Sequence, residues 1–206
     1  MYNTLTKQYA GCALCPFGAW ANKVHYRGHE HPDLLFIGEA SGKVEDAVGQ
    51  PFLGRAGRLL DSALETTGFK TAGLTWGITN ALLCRPSEQA GGANRTPTRL
   101  EVENCNPRLA AMVSLVAPRV GFVVLGRVAE RALLLVRNRQ PINKPVWYNH
   151  HPAYVLRNPS ALESWHNEFR RVVYHATGRK PDPVKDMAAM SKESPVHAQR
   201  VEIHPA

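Results

Sequence analysis

The feature that most constrains this chain is a recurring alternation. Short, wholly apolar runs are separated by stretches with the period of a helix. The run Leu34 to Ile37 is apolar at every position and is followed at once by Gly38, as expected of a strand buried on both faces. Three further candidates follow at Leu74 to Leu83, Val120 to Leu125 and Val146 to Asn149. Strands alternating with helices imply a parallel sheet covered on both sides, so the expected fold is three-layer α/β/α with a central, mainly parallel four-stranded sheet.

The helices carry their own signals. Ala56 to Thr67 sets Leu59, Leu60 and Leu64 along one face and stops at Gly68. Thr98 and Glu101 form a capping box opening a stretch towards Val116, which Pro107 is expected to split or restart. Asn158-Pro159-Ser160 supplies cap and first-turn chemistry for a last helix in which Leu162, Trp165, Phe169, Val172 and Val173 recur until Gly178. Beyond it the chain is polar, Pro-containing and aperiodic. Residues 1–178 are therefore expected to form a single domain and 179–206 a flexible tail.

Lys and Arg number 25 against 17 Asp and Glu, a net charge of +8 that suits a polyanionic partner. No run of about eighteen apolar residues is present, and the first residues lack a signal-peptide core, so no membrane partner and a cytoplasmic protein are expected. In a reducing compartment the four cysteines, Cys12-x2-Cys15 with Cys84 and Cys105, read as metal or cluster ligands rather than disulfides. One close pair with two scattered singles suits an iron–sulfur cluster better than a zinc ribbon; the alternative is four unrelated buried thiols.

In an open parallel sheet, ligands bind beyond the carboxyl ends of the strands. Four loops should converge there: Gly38-Glu39-Ala40-Ser41-Gly42-Lys43, the strand end near Asn80, Gly126-Arg127, and His150-His151-Pro152-Ala153-Tyr154. The first is not a P-loop. It has three residues between its glycines and Val44 where a magnesium-binding hydroxyl belongs, so no nucleotide cofactor is expected. Taken singly, Phe52 reads as core, Asn80 as a backbone-satisfying strand end and His151 as an ordinary loop histidine.

Taken together, GEASGKVEDAVGQPFLGRAGRLL, TNALLCRP, NRTPT, Cys105, LGRVA and HPAYVLRNP, in this order from about Cys12 to Phe169, resemble the iron–sulfur uracil-DNA glycosylases of family 4. The resemblance implies a monomeric DNA-repair enzyme, associated with the nucleoid, that flips deoxyuridine from DNA and hydrolyses its glycosidic bond. It also implies a [4Fe–4S] cluster, with zinc the lesser alternative, on Cys12, Cys15, Cys84 and Cys105. It implies that Phe52 stacks on the uracil, that Asn80 reads its edge, and that Gly38, Ala40, Ser41 and Gly42 form the loop around the base. His151 would stabilise the leaving base. Glu39 or Glu45 would position water, because the position where some uracil glycosylases carry Asp is Ala40 here. Tyr154, Leu156 and Arg157 would form a loop entering the duplex, and Arg55 would contact DNA.

Two departures stand out. Ser41 replaces the family's usual proline, and the stretch SEQAGGANRTP is longer than usual, which could admit another modified pyrimidine. A branch of the superfamily that binds uracil covalently uses a histidine in that loop, and none lies between Arg85 and Pro97. The rival from another class is a non-catalytic, iron–sulfur DNA-binding relative.

Overall fold

The computed structural model describes residues 3–179. The expected tail, Arg179 apart, lies outside the described residues. Each of the four apolar runs contains a strand, β2 Leu34–Gly38, β3 Trp76–Asn80, β4 Gly121–Leu125 and β5 Val146–Asn149. A two-residue strand, β1 Arg27–Gly28, precedes them. The sheet order is β1-β3-β2-β4-β5, parallel throughout except for β1, which pairs antiparallel with β3. The sheet thus has five strands where four were expected. Two residues cannot display a period of two, so β1 leaves no mark in the sequence pattern.

Pleating sorts the strand side chains into two cores. Leu35, Ile37, Phe122 and Val124 pack with Leu109, Met112 and Val113 of α4 (Arg99–Val116) and with Ala129, Leu133 and Val136 of α5 (Arg127–Arg137). On the other face Leu34, Phe36, Val123 and Leu125 meet Leu60 and Leu64 of α3 (Arg55–Thr66) and Trp165, Phe169 and Val172 of the C-terminal helix Leu162–Thr177. This is the three-layer α/β/α arrangement. The second core is tied by aromatic contacts, Trp165 to Phe169 at 4.7 Å and Phe36 to Phe69 at 5.9 Å between centroids. Truncating Phe169 to alanine there would cost about 3–5 kcal/mol.

The capping box of α4 forms as expected: Glu101 N donates to Thr98 Oγ1 and Thr98 N to the Glu101 carboxylate at 2.8 Å. Pro107, however, neither splits nor restarts the helix, which is continuous over 18 residues. Its ring faces solvent, so the helix gives up one backbone bond on its wet side, where water can replace it. The last helix ends at a left-handed Gly178, with a separate 3-10 turn at Pro159–Ala161 before it.

Candidate active site

Parallel strands deliver their carboxyl ends to one edge, and register decides which side chains meet there. Gly38 lies opposite Asn80. A Cβ on Gly38 would stand 2.4 Å from Phe52 Cζ and 2.5 Å from Asn80 Oδ1. The ring and the carboxamide therefore close on the same point, and only glycine leaves room for both. Asn80 is 1% exposed, yet neither its Oδ1 nor its Nδ2 has a partner. Each such unsatisfied group costs about 1–3 kcal/mol, so a complete carboxamide left idle marks a place where a ligand completes the bonding.

Phe52 has φ +58, a left-handed conformation that disfavours a bulky side chain. Two devices hold it. Gly57, in the first turn of α3, lets the helix approach so closely that a Cβ there would fall 1.9 Å from Phe52 O. Glu45, on the short helix α2 (Lys43–Val48), accepts from the amides of Gly42 at 3.1 Å, Leu53 at 3.0 Å and Gly54 at 2.7 Å. Its carboxylate binds the loop after β2 to the segment carrying Phe52.

His151 follows β5 and caps α6 (Pro152–Arg157), its Nδ1 accepting from Ala153 N at 3.2 Å. Burial, reinforced by the Arg157 charge and partly opposed by Glu45, lowers its pKa to about 4. The ring is neutral at pH 7, and with Nδ1 used as acceptor the hydrogen-bond network assigns the proton to Nε2. Its centroid lies 5.6 Å from that of Phe52. Aromatic ring, carboxamide and imidazole are thus brought together from the segment between α2 and α3, the end of β3 and the turn after β5.

The segment expected to be a loop after His151 is the helix α6: a cap followed by proline at the first position is a strong helix start, and Asn158-Pro159 ends it. Val155 anchors it in the core, while Tyr154, Leu156 and Arg157 point outward, Tyr154 41% and Leu156 36% exposed. A cleft of about 580 Å³ opens beside it, within the usual range for ligand sites. Glu39, Ala40, Ser41, Gly42, Glu45, Phe52, Arg55, His151 and Arg157 line this cleft. Gly38, Asn80, Tyr154 and Leu156 are not on its wall. Burial pushes the Glu39 carboxyl above its ordinary range, against the pull of Arg157.

Sequence reasoning missed part of this wall. Pro86, Asn94, Arg95 and Thr96 also line the cleft. Arg85, buried, bonds Asp46 at 3.2 Å, Gly92 O at 2.7 Å and Asn94 Oδ1 at 3.0 Å. Arg95 donates two parallel hydrogen bonds to the Glu101 carboxylate, at 2.8 and 2.6 Å. The sequence marks the stretch SEQAGGANRTP as a long loop beside the base pocket, but gives none of these residues a role.

The cysteines meet on the α4 face. Cys12 and Cys15 come from the N-terminal segment, Cys84 from the chain after β3 and Cys105 from mid-α4, and all four line one small pocket with Leu14, Phe17, Leu82 and Leu83. None is in a disulfide. Burial, with neighbouring thiols adding to it, raises Cys15 to about 11; burial raises Cys84 to about 12. As bare thiols these two hold their protons, so only a bound metal centre would keep them as thiolates. Among the described residues no group of three or more His, Cys, Asp or Glu is gathered to hold a single metal ion. Four thiols lining one apolar pocket are a donor set whose chemistry suits a metal centre.

Residues 25–173 match the model of the Uracil DNA glycosylase superfamily. The chain belongs to that superfamily. The matched span contains Phe52, Asn80 and His151 as well as Cys84 and Cys105, and begins after Cys12 and Cys15. Among curated members, a type-4 uracil-DNA glycosylase of Pyrobaculum aerophilum is 30% identical over 192 residues, covering 84% of this chain and 94% of the relative. One from Thermotoga maritima is 34% identical over 174 residues, covering 79% and 83%. One from Archaeoglobus fulgidus is 30% identical over 186 residues, covering 82% and 89%.

Proposed function

We propose that this chain hydrolyses the N-glycosidic bond of deoxyuridine in DNA, releasing uracil and leaving an abasic site. The observation that carries the reading is the idle, buried carboxamide of Asn80 beside Phe52 and a neutral His151. An amide offers one acceptor and one donor, which complement uracil N3–H and O4 and oppose the pattern of cytosine. The names of the relatives agree with it.

The glycosidic bond is out of reach inside the stack, so the nucleotide is flipped into the cleft. Phe52 stacks on the ring, held by Gly57 and Glu45. As the C1′–N1 bond breaks, its electron pair leaves with the base, and the Nε2–H of His151 donates to the oxygen where that charge collects. Preorganised donors of this kind are worth on the order of a hundredfold to a thousandfold each. The Gly42 amide is already taken by Glu45, leaving those of Ala40 and Ser41 to add to the donor set. Water bonds to C1′ on the other side. Glu39, the carboxylate on the cleft wall not committed to backbone amides, orients it and accepts its proton, whereas Glu45 acts as a positioning residue.

Arg55 and Arg157 hold the backbone phosphates, and Leu156 with Tyr154 fills the gap left in the stack, supported by their exposure on α6 and by the net charge of +8. Cys12, Cys15, Cys84 and Cys105 would hold a [4Fe–4S] cluster. The cluster supplies a cross-link among segments far apart in sequence. The enzyme is read as a monomer acting in the cytoplasm; among the described residues no helix is long and apolar enough to cross a membrane.

A second reading has one specific support. The Ser41 hydroxyl, on the wall of the same cleft, is buried without a partner, so a pyrimidine bearing an additional polar substituent could satisfy it. Incubating the protein with duplexes holding uracil, hydroxymethyluracil or hypoxanthine, followed by alkaline scission, separates the readings. Cleavage only at uracil is expected. Preference for hydroxymethyluracil favours the second reading, and binding without scission at any base leaves a non-catalytic relative. Asn80→Asp should in addition lose discrimination against cytosine; wild-type selectivity in that variant contradicts the edge-reading role.

A further inference from the structure

Arg108 is a buried cation that the reaction as described does not use. It is 1% exposed and follows Cys105 by three positions on α4, on the same side of the helix. Its Nη1 donates to Thr79 Oγ1 at 3.1 Å, and its Nη2 to Asn80 O at 2.7 Å and Ala81 O at 3.0 Å; the same nitrogen lies 3.9 Å from Cys105 Sγ. Among the described residues it forms no ion pair with a carboxylate. A buried guanidinium matched only by neutral acceptors is strongly disfavoured, so a negative counter-charge is required nearby. His25, buried and without a side-chain partner, cannot supply one, because an imidazole is neutral or cationic. The Cys105 sulfur can, once it is a metal-bound thiolate.

We propose that Arg108 is a positioning residue that couples the four-cysteine centre to the base-reading end of β3. Its Nη2, which faces a sulfur ligand, also fixes the carbonyls of Asn80 and Ala81, where the carboxamide leaves the sheet, while Nη1 holds Thr79. The proposal rests on the cluster reading above. Two consequences follow. A fixed positive charge beside a ligand sulfur favours the more negative, reduced state and raises the reduction potential of the centre. Loss of the guanidinium also frees the backbone under Asn80, so excision suffers although Arg108 touches no substrate.

The test compares wild type with Arg108→Gln and Arg108→Lys in the full-length, cluster-loaded protein. Iron per chain and visible absorbance come first, and a wild-type protein lacking both overturns the cluster reading itself. In iron-loaded Arg108→Gln, voltammetry is expected to give a more negative midpoint potential, with kcat for uracil excision down about tenfold and KM for DNA unchanged. Arg108→Lys keeps the charge but loses the fork, so its potential should stay near wild type while kcat falls. An iron-loaded Gln variant with wild-type potential and kcat overturns the proposal. If that variant does not fold, a Lys variant whose potential drops, or whose kcat is unchanged, overturns it equally.

Discussion

The two polar centres of this molecule are built in opposite ways. At the base pocket the chain organises itself. Gly38 and Gly57 make room, Glu45 joins two segments by accepting hydrogen bonds from three backbone amides, and Phe52 is held in a left-handed conformation without any outside group. At the cysteine pocket four thiols converge in an apolar setting that raises the thiol pKa values of Cys15 and Cys84. Packing holds them together with a few side-chain contacts: Leu83 N to Cys105 Sγ, Asn104 Nδ2 to Leu14 O at 3.1 Å, and Arg108 beside Cys105. A site preorganised by backbone should survive loss of any one functional side chain, whereas a site completed by a metal centre should fail as a unit.

The largest test of that contrast is Cys84→Ser. It should remove iron and lower Tm by on the order of 10 °C, measured by iron assay and calorimetry. Full stability without iron would show that the cysteine side folds unaided and would erase the difference. His151→Ala should leave Tm and iron content near wild type while slowing single-turnover excision by roughly a hundredfold to a thousandfold. Equal losses in DNA affinity and rate would remove its leaving-group role. Gly38→Ala places a methyl into Phe52 and Asn80 and should slow excision by about a hundredfold, again with iron retained. An unchanged rate would mean that ring and carboxamide need not share that point.

The smallest effect concerns acid stability. Burial, with the Arg108 charge adding, lowers His25 to about 4, so between that value and the unfolded pKa near 6.5 the unfolded chain binds more protons than the native one. Stability contributed by neutral His25 is therefore complete above that window and lost as pH falls through it. Melting curves across the range should show a shallower acid decline for His25→Asn than for wild type, and parallel declines would contradict the shift.

Several of these residues were visible before any coordinates. The four cysteines stand out by type and spacing, Phe52, Asn80 and His151 only through the family resemblance, and the layered fold follows from apolar runs alternating with helical periods. Glu45 shows where such reasoning stops. In the sequence it is a carboxylate near a Gly-rich loop, equal in promise to Glu39, and only the fold reveals that its oxygens are committed to three amides. Pro107 is similar, since its tolerance depends on which side of α4 is wet. Arg108 left no signal at all, because its partners lie 27 to 29 residues away on β3 and just beyond it.

What the sequence determined alone is periodic or compositional: the alternation of strand and helix, the capping box at Thr98, the cationic balance and the supply of thiols. These depend on neighbours a few residues apart, and local patterns record them. Tertiary structure decided which groups became partners, namely the meeting of Phe52 with Asn80 over Gly38, the tautomer of His151, the clamp at Glu45 and the burial of Arg108. Register and layer packing set those contacts, and neither is written in any short stretch of chain.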